Sequence, residues 1–209
     1  MNAAPDRQSG HQQHSKNGTS VAAEAYVPEI YSVPPWDDEF RFGVLRHEFS
    51  GRVNCATRYV FKKAHPVPVE YTHEAEVWQP TARRIDVLLP QGAPDRFLSP
   101  ATLIKDFIAN VGGQLDLLIT MKMAINPDRP LHEGFERCRA FARDVMANDH
   151  GLATIVILHD PVMLRTRRPR LPHLHVLAPA SRLVCGDWRD PSPMGTDDGA
   201  TEFRKHWMG

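Results

Sequence analysis

The chain has 209 residues, of which 42% are hydrophobic, and its 25 basic side chains balance 25 acidic ones. This length and composition predict one globular domain with a core, together with polar ends. No segment approaches the roughly 18 to 20 apolar residues of a membrane span, and the N-terminus lacks the apolar stretch of a secretory signal. Three cysteines at unrelated spacings exclude a disulfide framework. We therefore expect a cytoplasmic protein, and the balanced charge counts mildly against a nucleic-acid partner.

Composition divides the chain into three parts. Residues 1–36 are rich in Gln, His, Ser, Asn and Pro without apolar periodicity, which predicts a disordered polar arm. Residues 37–182 carry the periodic patterns of a folded domain. Residues 183–209 contain Gly, Pro and Asp turns and predict a partly irregular C-terminal tail, with a short helical stretch after Phe203.

The hydrophobic patterns of the first half of the domain alternate between strand and helix. Apolar residues at every second position from Phe40 predict a strand. A segment with few helix breakers, 53–63, predicts a short helix bearing Tyr59, and 85–89 predicts a second strand. The pair Ser99-Pro100 combines a capping residue with a preorganised first turn, and it begins a helix that ends at Gly112-Gly113.

The second half continues the alternation. Residues 115–123 predict a buried strand, and Pro130 opens an amphipathic helix. The β-branched stretch 153–158 predicts a fully buried strand, and 174–177 predicts a short one. This order indicates an α+β fold with helices packed on one face of a largely antiparallel sheet.

Three histidines lie at the ends of the last two predicted strands. His173 and His175 are two residues apart, so they point to one face of a strand, and His159 ends the strand before. If the intervening loop forms a hairpin, the three side chains can share one divalent ion, and imidazole ligands suggest zinc. Taken singly, each histidine is more often an ordinary polar residue. Asp160 could orient an imidazole from behind or simply cap a turn.

The loop between the two strands carries a basic cluster. Its members are Arg165, Arg167, Arg168 and Arg170. In a neutral chain such a cluster can follow a nucleic-acid backbone, and a merely solvated loop is an equally good interpretation.

Several motifs occur together and in a recognisable order. They are Gly51-Arg52 before a helix with Tyr59, Tyr71-Thr72 with Val77, the "LLP" of 88–90 followed by Ala93-Pro94, the helix from Leu131, the "ILHD" of 157–160, and the "PHLHV" of 172–176. In this order, residues 51–182 resemble the MobA/MobL family of conjugative relaxases, which are HUH endonucleases.

The resemblance implies a relaxase sandwich fold and a DNA-nicking transesterase. It implies Tyr59 as nucleophile, with Tyr26 as a weaker candidate, and Mg²⁺ or Mn²⁺ as the ion at the histidines. The partners would be single-stranded DNA at an origin-of-transfer-like site and accessory mobilisation proteins. Two alternatives remain open from the residues: a metal-dependent hydrolase of a small molecule, and a non-catalytic DNA-binding remnant of a relaxase.

Overall fold

The computed structural model describes residues 39–67, 69, 78–111, 113–161 and 171–209. The strands are β1 Phe40–Arg46, β2 Glu48–Phe49, β3 Arg52–Val53, β4 Arg84–Leu88, β5 Asp116–Ala124, β6 Thr154–His159, β7 His173–Pro179, β8 Ser181–Val184 and β9 Asp187–Pro191. The α-helices are α1 Ala56–Ala64, α2 Pro100–Val111, α3 Leu131–Phe141 and α4 Asp197–Met208. A π-helix, Ala142–Asp149, continues α3 directly. The predicted polar arm lies outside the described residues.

Five strands form the main sheet in the order β1-β5-β7-β6-β4, and each neighbouring pair is antiparallel. Two small antiparallel pairs, β2–β3 and β8–β9, lie beside it. Every residue of β6 and β7 is buried, which for β6 agrees with the continuous apolar pattern of its segment. The predicted α+β class with an antiparallel sheet is confirmed.

The placement of the helices differs from the expectation that they cover one face. Two buried clusters occupy opposite faces, because consecutive strand residues such as Ile155 and Val156 belong to different clusters. Helices α1 and α2 pack on the face of Ile155, and α3, the π-helix and α4 pack on the face of Val156. The physical reason is that strands apolar on both faces leave two surfaces to be removed from water.

Local sequence signals position several helix ends. The Ser99 hydroxyl accepts a hydrogen bond from the Thr102 amide at 3.3 Å, as its capping position predicts. Thr196 likewise accepts from the Gly199 amide at 3.4 Å and begins α4. Within the described ranges, no helix combines the length and the apolar character needed to cross a membrane.

The C-terminal segment is more regular than the predicted tail. It contains the β8–β9 hairpin and the 12-residue helix α4. Phe203 is fully buried, with its ring centroid 6.4 Å from that of Phe42 and 6.0 Å from that of Phe141. Trp207, one turn later, packs against Phe141 at 6.0 Å. Two aromatic residues four apart were the signal of this helix, which the surrounding polar residues obscured.

We predict that Phe203→Ala lowers the free energy of unfolding by about 3 to 5 kcal/mol, because it empties a well-packed aromatic position. Urea denaturation measures this change. Met208→Ala, in the same helix but 49% exposed, is the control and should have little effect. A loss for Phe203→Ala no larger than that of the control would contradict the placement of α4 in the core.

Candidate metal centre

The candidate site is built on the hairpin formed by β6 and β7. In its register His159 pairs directly with His173, and Ile157 pairs with His175. Because side chains alternate along a strand, all three histidines lie on the face covered by α1 and α2. The sequence therefore predicted correctly that the loop returns the chain and that the "HLH" histidines share a face.

The three imidazoles converge. One nitrogen from each of His159, His173 and His175 lies within 4.8 Å of the others. Their ring centroids are 4.6 to 5.2 Å apart, and the rings are tilted by 70° to 79° to one another. Ligands about 2.1 Å from one ion in tetrahedral geometry stand about 3.4 Å apart. Small side-chain rotations would close this difference, so the donor set fits a divalent ion with one open position.

Backbone carbonyls orient two of the rings. His159 Nε2 donates to the carbonyl oxygen of Lys63 at 2.7 Å, and His173 Nδ1 donates to that of Leu171 at 3.0 Å. A carbonyl can only accept, so these nitrogens carry the proton in the neutral rings. Nδ1 of His159 and Nε2 of His173 are left with free lone pairs, which is the form that a metal ligand requires.

Burial keeps all three imidazoles neutral. The residues are 8%, 7% and 8% exposed in chain order. Desolvation lowers the pKa of His159 and His175 below the ordinary value, and it lowers the pKa of His173 to about 4. The positive charges of Lys63 and Lys122 lower each pKa further. At neutral pH no proton has to leave before a metal ion binds.

Tyr59 lies on the same face of the sheet as the histidines. It points from α1 into the buried cluster that contains Ile157 and Leu177. The Thr120 hydroxyl, which donates to the Gly43 carbonyl at 3.1 Å, lies beside its phenol, and burial raises the pKa of Tyr59 to about 12. The Lys63 ammonium stands 5.3 Å from the centre of its ring. Tyr59 is therefore a neutral, buried phenol next to the Lys63 ammonium group.

Of the remaining predicted site residues, the structure describes Asp160. Asp160 is buried and forms an ion pair with Arg83 on the neighbouring edge of the sheet. The arginine cluster falls outside the described residues, as do Tyr26 and Tyr71.

Sequence reasoning missed Lys63 and Lys122, which contribute charge to the site. Lys122 is the single charged residue inside the apolar segment 117–125, and that interruption was the available signal.

The comparisons with known proteins give one informative result. No protein-family model and no curated protein matches the sequence. Among solved structures, the chain is similar to a Staphylococcus aureus plasmid relaxase from work on the molecular basis of vancomycin resistance transfer. The TM-score is 0.59 at 15% identity, over 80% of this chain and 87% of the relaxase. The chain has a relaxase-like fold. At this identity, the relaxase is a neighbour in fold only.

We predict that the metal-free protein loses stability as the pH falls from about 6.5 towards 4. The histidines titrate near 6.5 when unfolded, whereas their pKa values in the fold are lower, about 4 for His173. In this window the unfolded state binds more protons, so each histidine lowers the unfolding free energy by up to about 1.4 kcal/mol per pH unit. Above pH 6.5 the effect is absent.

Urea denaturation with a chelator present, at pH 7.5, 6.5, 5.5 and 4.5, measures this dependence. His173→Gln removes one titrating group and should flatten the profile. His206→Gln in the last turn of α4, an exposed position, should leave it unchanged. A flat wild-type profile down to pH 4.5 would show that the imidazoles are not held neutral by the fold.

Proposed function

We propose that the chain is a metal-dependent single-strand DNA endonuclease and strand transferase, a relaxase of MobA/MobL type that acts in plasmid mobilisation. The observation that supports it most is the convergence of three neutral imidazoles on one face of a relaxase-like sheet, beneath the helix that carries Tyr59. A phosphodiester is anionic and unreactive, so its cleavage needs charge neutralisation and a positioned nucleophile. The proposed site has residues for both tasks.

In this proposal His159, His173 and His175 hold one divalent ion, Mg²⁺ or Mn²⁺ by resemblance and Zn²⁺ by ligand type. When bound, such an ion neutralises and polarises a phosphodiester as a Lewis acid. The Tyr59 oxygen attacks phosphorus, and the bond from phosphorus to the 3′ oxygen breaks. The phenol loses one proton and the departing 3′ hydroxyl gains one. Tyr59 remains esterified to the 5′ phosphate, and reversal of the step rejoins the strand without ATP.

The proposed partners are single-stranded DNA at an origin-of-transfer-like site and accessory mobilisation proteins, in the cytoplasm. The four loop arginines are proposed to contact the DNA backbone beside the triad. Asp160 would act behind His159, because it is the next residue and its buried carboxylate is held by Arg83.

A metal-dependent hydrolase of a small molecule is the second candidate function. The burial of Tyr59 and its pKa of about 12 favour it, since a centre that does not use the tyrosine would leave the phenol neutral. A relaxase remnant that only binds DNA is consistent with the same feature. Dependence of a covalent DNA adduct on Tyr59 separates these three functions.

We predict that Tyr59→Phe abolishes the covalent protein–DNA adduct, by more than about 100-fold. The variant loses one oxygen and its polar contact with the Thr120 hydroxyl, so stability should fall by only about 0.5 to 1.5 kcal/mol and Mn²⁺ binding should remain. The measurement is denaturing electrophoresis after incubation with Mn²⁺ and labelled single-stranded oligonucleotides tiling a transfer origin. Tyr26→Phe is the matched control.

Each outcome of this experiment points to one function. Loss of the adduct with Tyr59→Phe alone supports the relaxase mechanism. An adduct that persists in Tyr59→Phe but disappears in Tyr26→Phe would move the nucleophile to Tyr26. Metal binding with no adduct from any oligonucleotide would favour the hydrolase, and DNA binding without metal retention would favour the remnant.

We also predict that the loop arginines contribute electrostatic affinity. Replacement of Arg165, Arg167, Arg168 and Arg170 by Ala should flatten the dependence of single-strand binding on salt concentration. Each lost phosphate contact removes about 0.7 from the logarithmic slope, so the change can reach about 2.8. Fluorescence anisotropy between 50 and 300 mM salt measures the slope. An unchanged slope would show that the loop does not contact DNA.

A further inference from the structure

Lys122 occupies an unusual position for a charged residue. It lies in β5, between the buried Met121 and Met123. In the register of β5 with β7 it pairs directly with His175. Directly paired residues point to the same face with Cβ atoms about 5 Å apart. The Lys122 side chain therefore begins beside the innermost histidine of the triad.

Among the described residues, two positive charges act on the triad before any ion binds. The imidazoles are neutral, and the charges of both Lys63 and Lys122 act on all three of them. Asp160, a described carboxylate that directly follows His159 in the chain, is paired with Arg83. A divalent cation would enter a site whose ligands carry no negative charge and whose neighbours include two ammonium groups.

We propose that Lys122 makes metal binding and phosphodiester binding at the triad mutually dependent. Its positive charge opposes the cation and attracts the anionic diester, so the metal is held firmly only when a phosphodiester is present. Linkage requires the reverse as well: the metal strengthens diester binding by the same factor. The choice of a phosphodiester as the anion rests on the proposed function, whereas the electrostatic coupling rests on the position of Lys122.

The expected size follows from Coulomb's law. A unit charge and a divalent ion at roughly 7 Å, screened as in water, repel enough to weaken binding about five- to tenfold. Removal of the Lys122 charge should therefore tighten Mn²⁺ binding by that factor. A substitution that merely damaged the site would weaken binding, so the direction of the change is diagnostic.

Isothermal titration of the metal-free full chain with Mn²⁺ tests the proposal, with and without dimethyl phosphate at constant ionic strength. Dimethyl phosphate is the smallest phosphodiester and carries one negative charge. For wild type and Lys122→Arg we expect it to tighten Mn²⁺ binding at least threefold. For Lys122→Met we expect Mn²⁺ to bind more tightly than to wild type when dimethyl phosphate is absent. Adding dimethyl phosphate should then increase its Mn²⁺ affinity only slightly. Lys205→Met, on the helix that packs on the opposite face, should behave as wild type.

A measurement on wild type needs no variant. Sodium perchlorate screens the repulsion, so Mn²⁺ affinity should rise about twofold or more between 50 and 500 mM.

Unchanged or weaker Mn²⁺ binding by Lys122→Met, or wild-type affinity that falls with salt, would overturn the coupling; so would a complete lack of Mn²⁺ binding. These readouts involve no DNA cleavage. Nicking without coupling would leave the relaxase proposal intact, and coupling without nicking would leave this inference intact.

Discussion

The register between β6 and β7 is the constraint on which the candidate site depends. Pairing of His159 with His173 places three imidazoles on one face at the end of two adjacent strands. A slip of one residue would turn the histidines of one strand to the opposite face. The alternation of buried residues resists such a slip, because each face of β7 belongs to a different hydrophobic cluster. Core packing and site geometry are therefore set by the same hydrogen-bond ladder.

Burial of His159 and His173 is tolerable because each ring makes a hydrogen bond to a backbone carbonyl. The Lys63 carbonyl lies in the last turn of α1, where helix carbonyls lack intrahelical partners. His159 satisfies it, and this one hydrogen bond ties the triad to the helix that carries Tyr59. In the same way, the Leu171 carbonyl just before β7 accepts the hydrogen bond of His173. These two hydrogen bonds fix the tautomers of His159 and His173, and burial keeps the rings neutral.

Charge near the triad comes from positions that carry no recognisable motif. Lys122 interrupts an apolar strand, and Lys63 lies in the last turn of a short helix. Their positive charges act on all three neutral imidazoles of the candidate site. The buried phenol of Tyr59, whose pKa is about 12, lies close to the Lys63 charge. Its ionisation would be helped by every positive charge added to the site.

The sequence by itself predicted the main strands, the first three helices and the three histidines of the candidate site. Period-two and period-3.6 patterns located the five main strands and helices α1 to α3, and the spacing of His173 and His175 required a shared face. Only the tertiary structure decided what depends on contacts between distant segments. The packing of helices on both faces, the burial of α4 through Phe203, and the pairing of Lys122 with His175 are of this kind. Residues more than 50 positions apart meet there, and local periodicity carries no information on which segments become neighbours in a sheet.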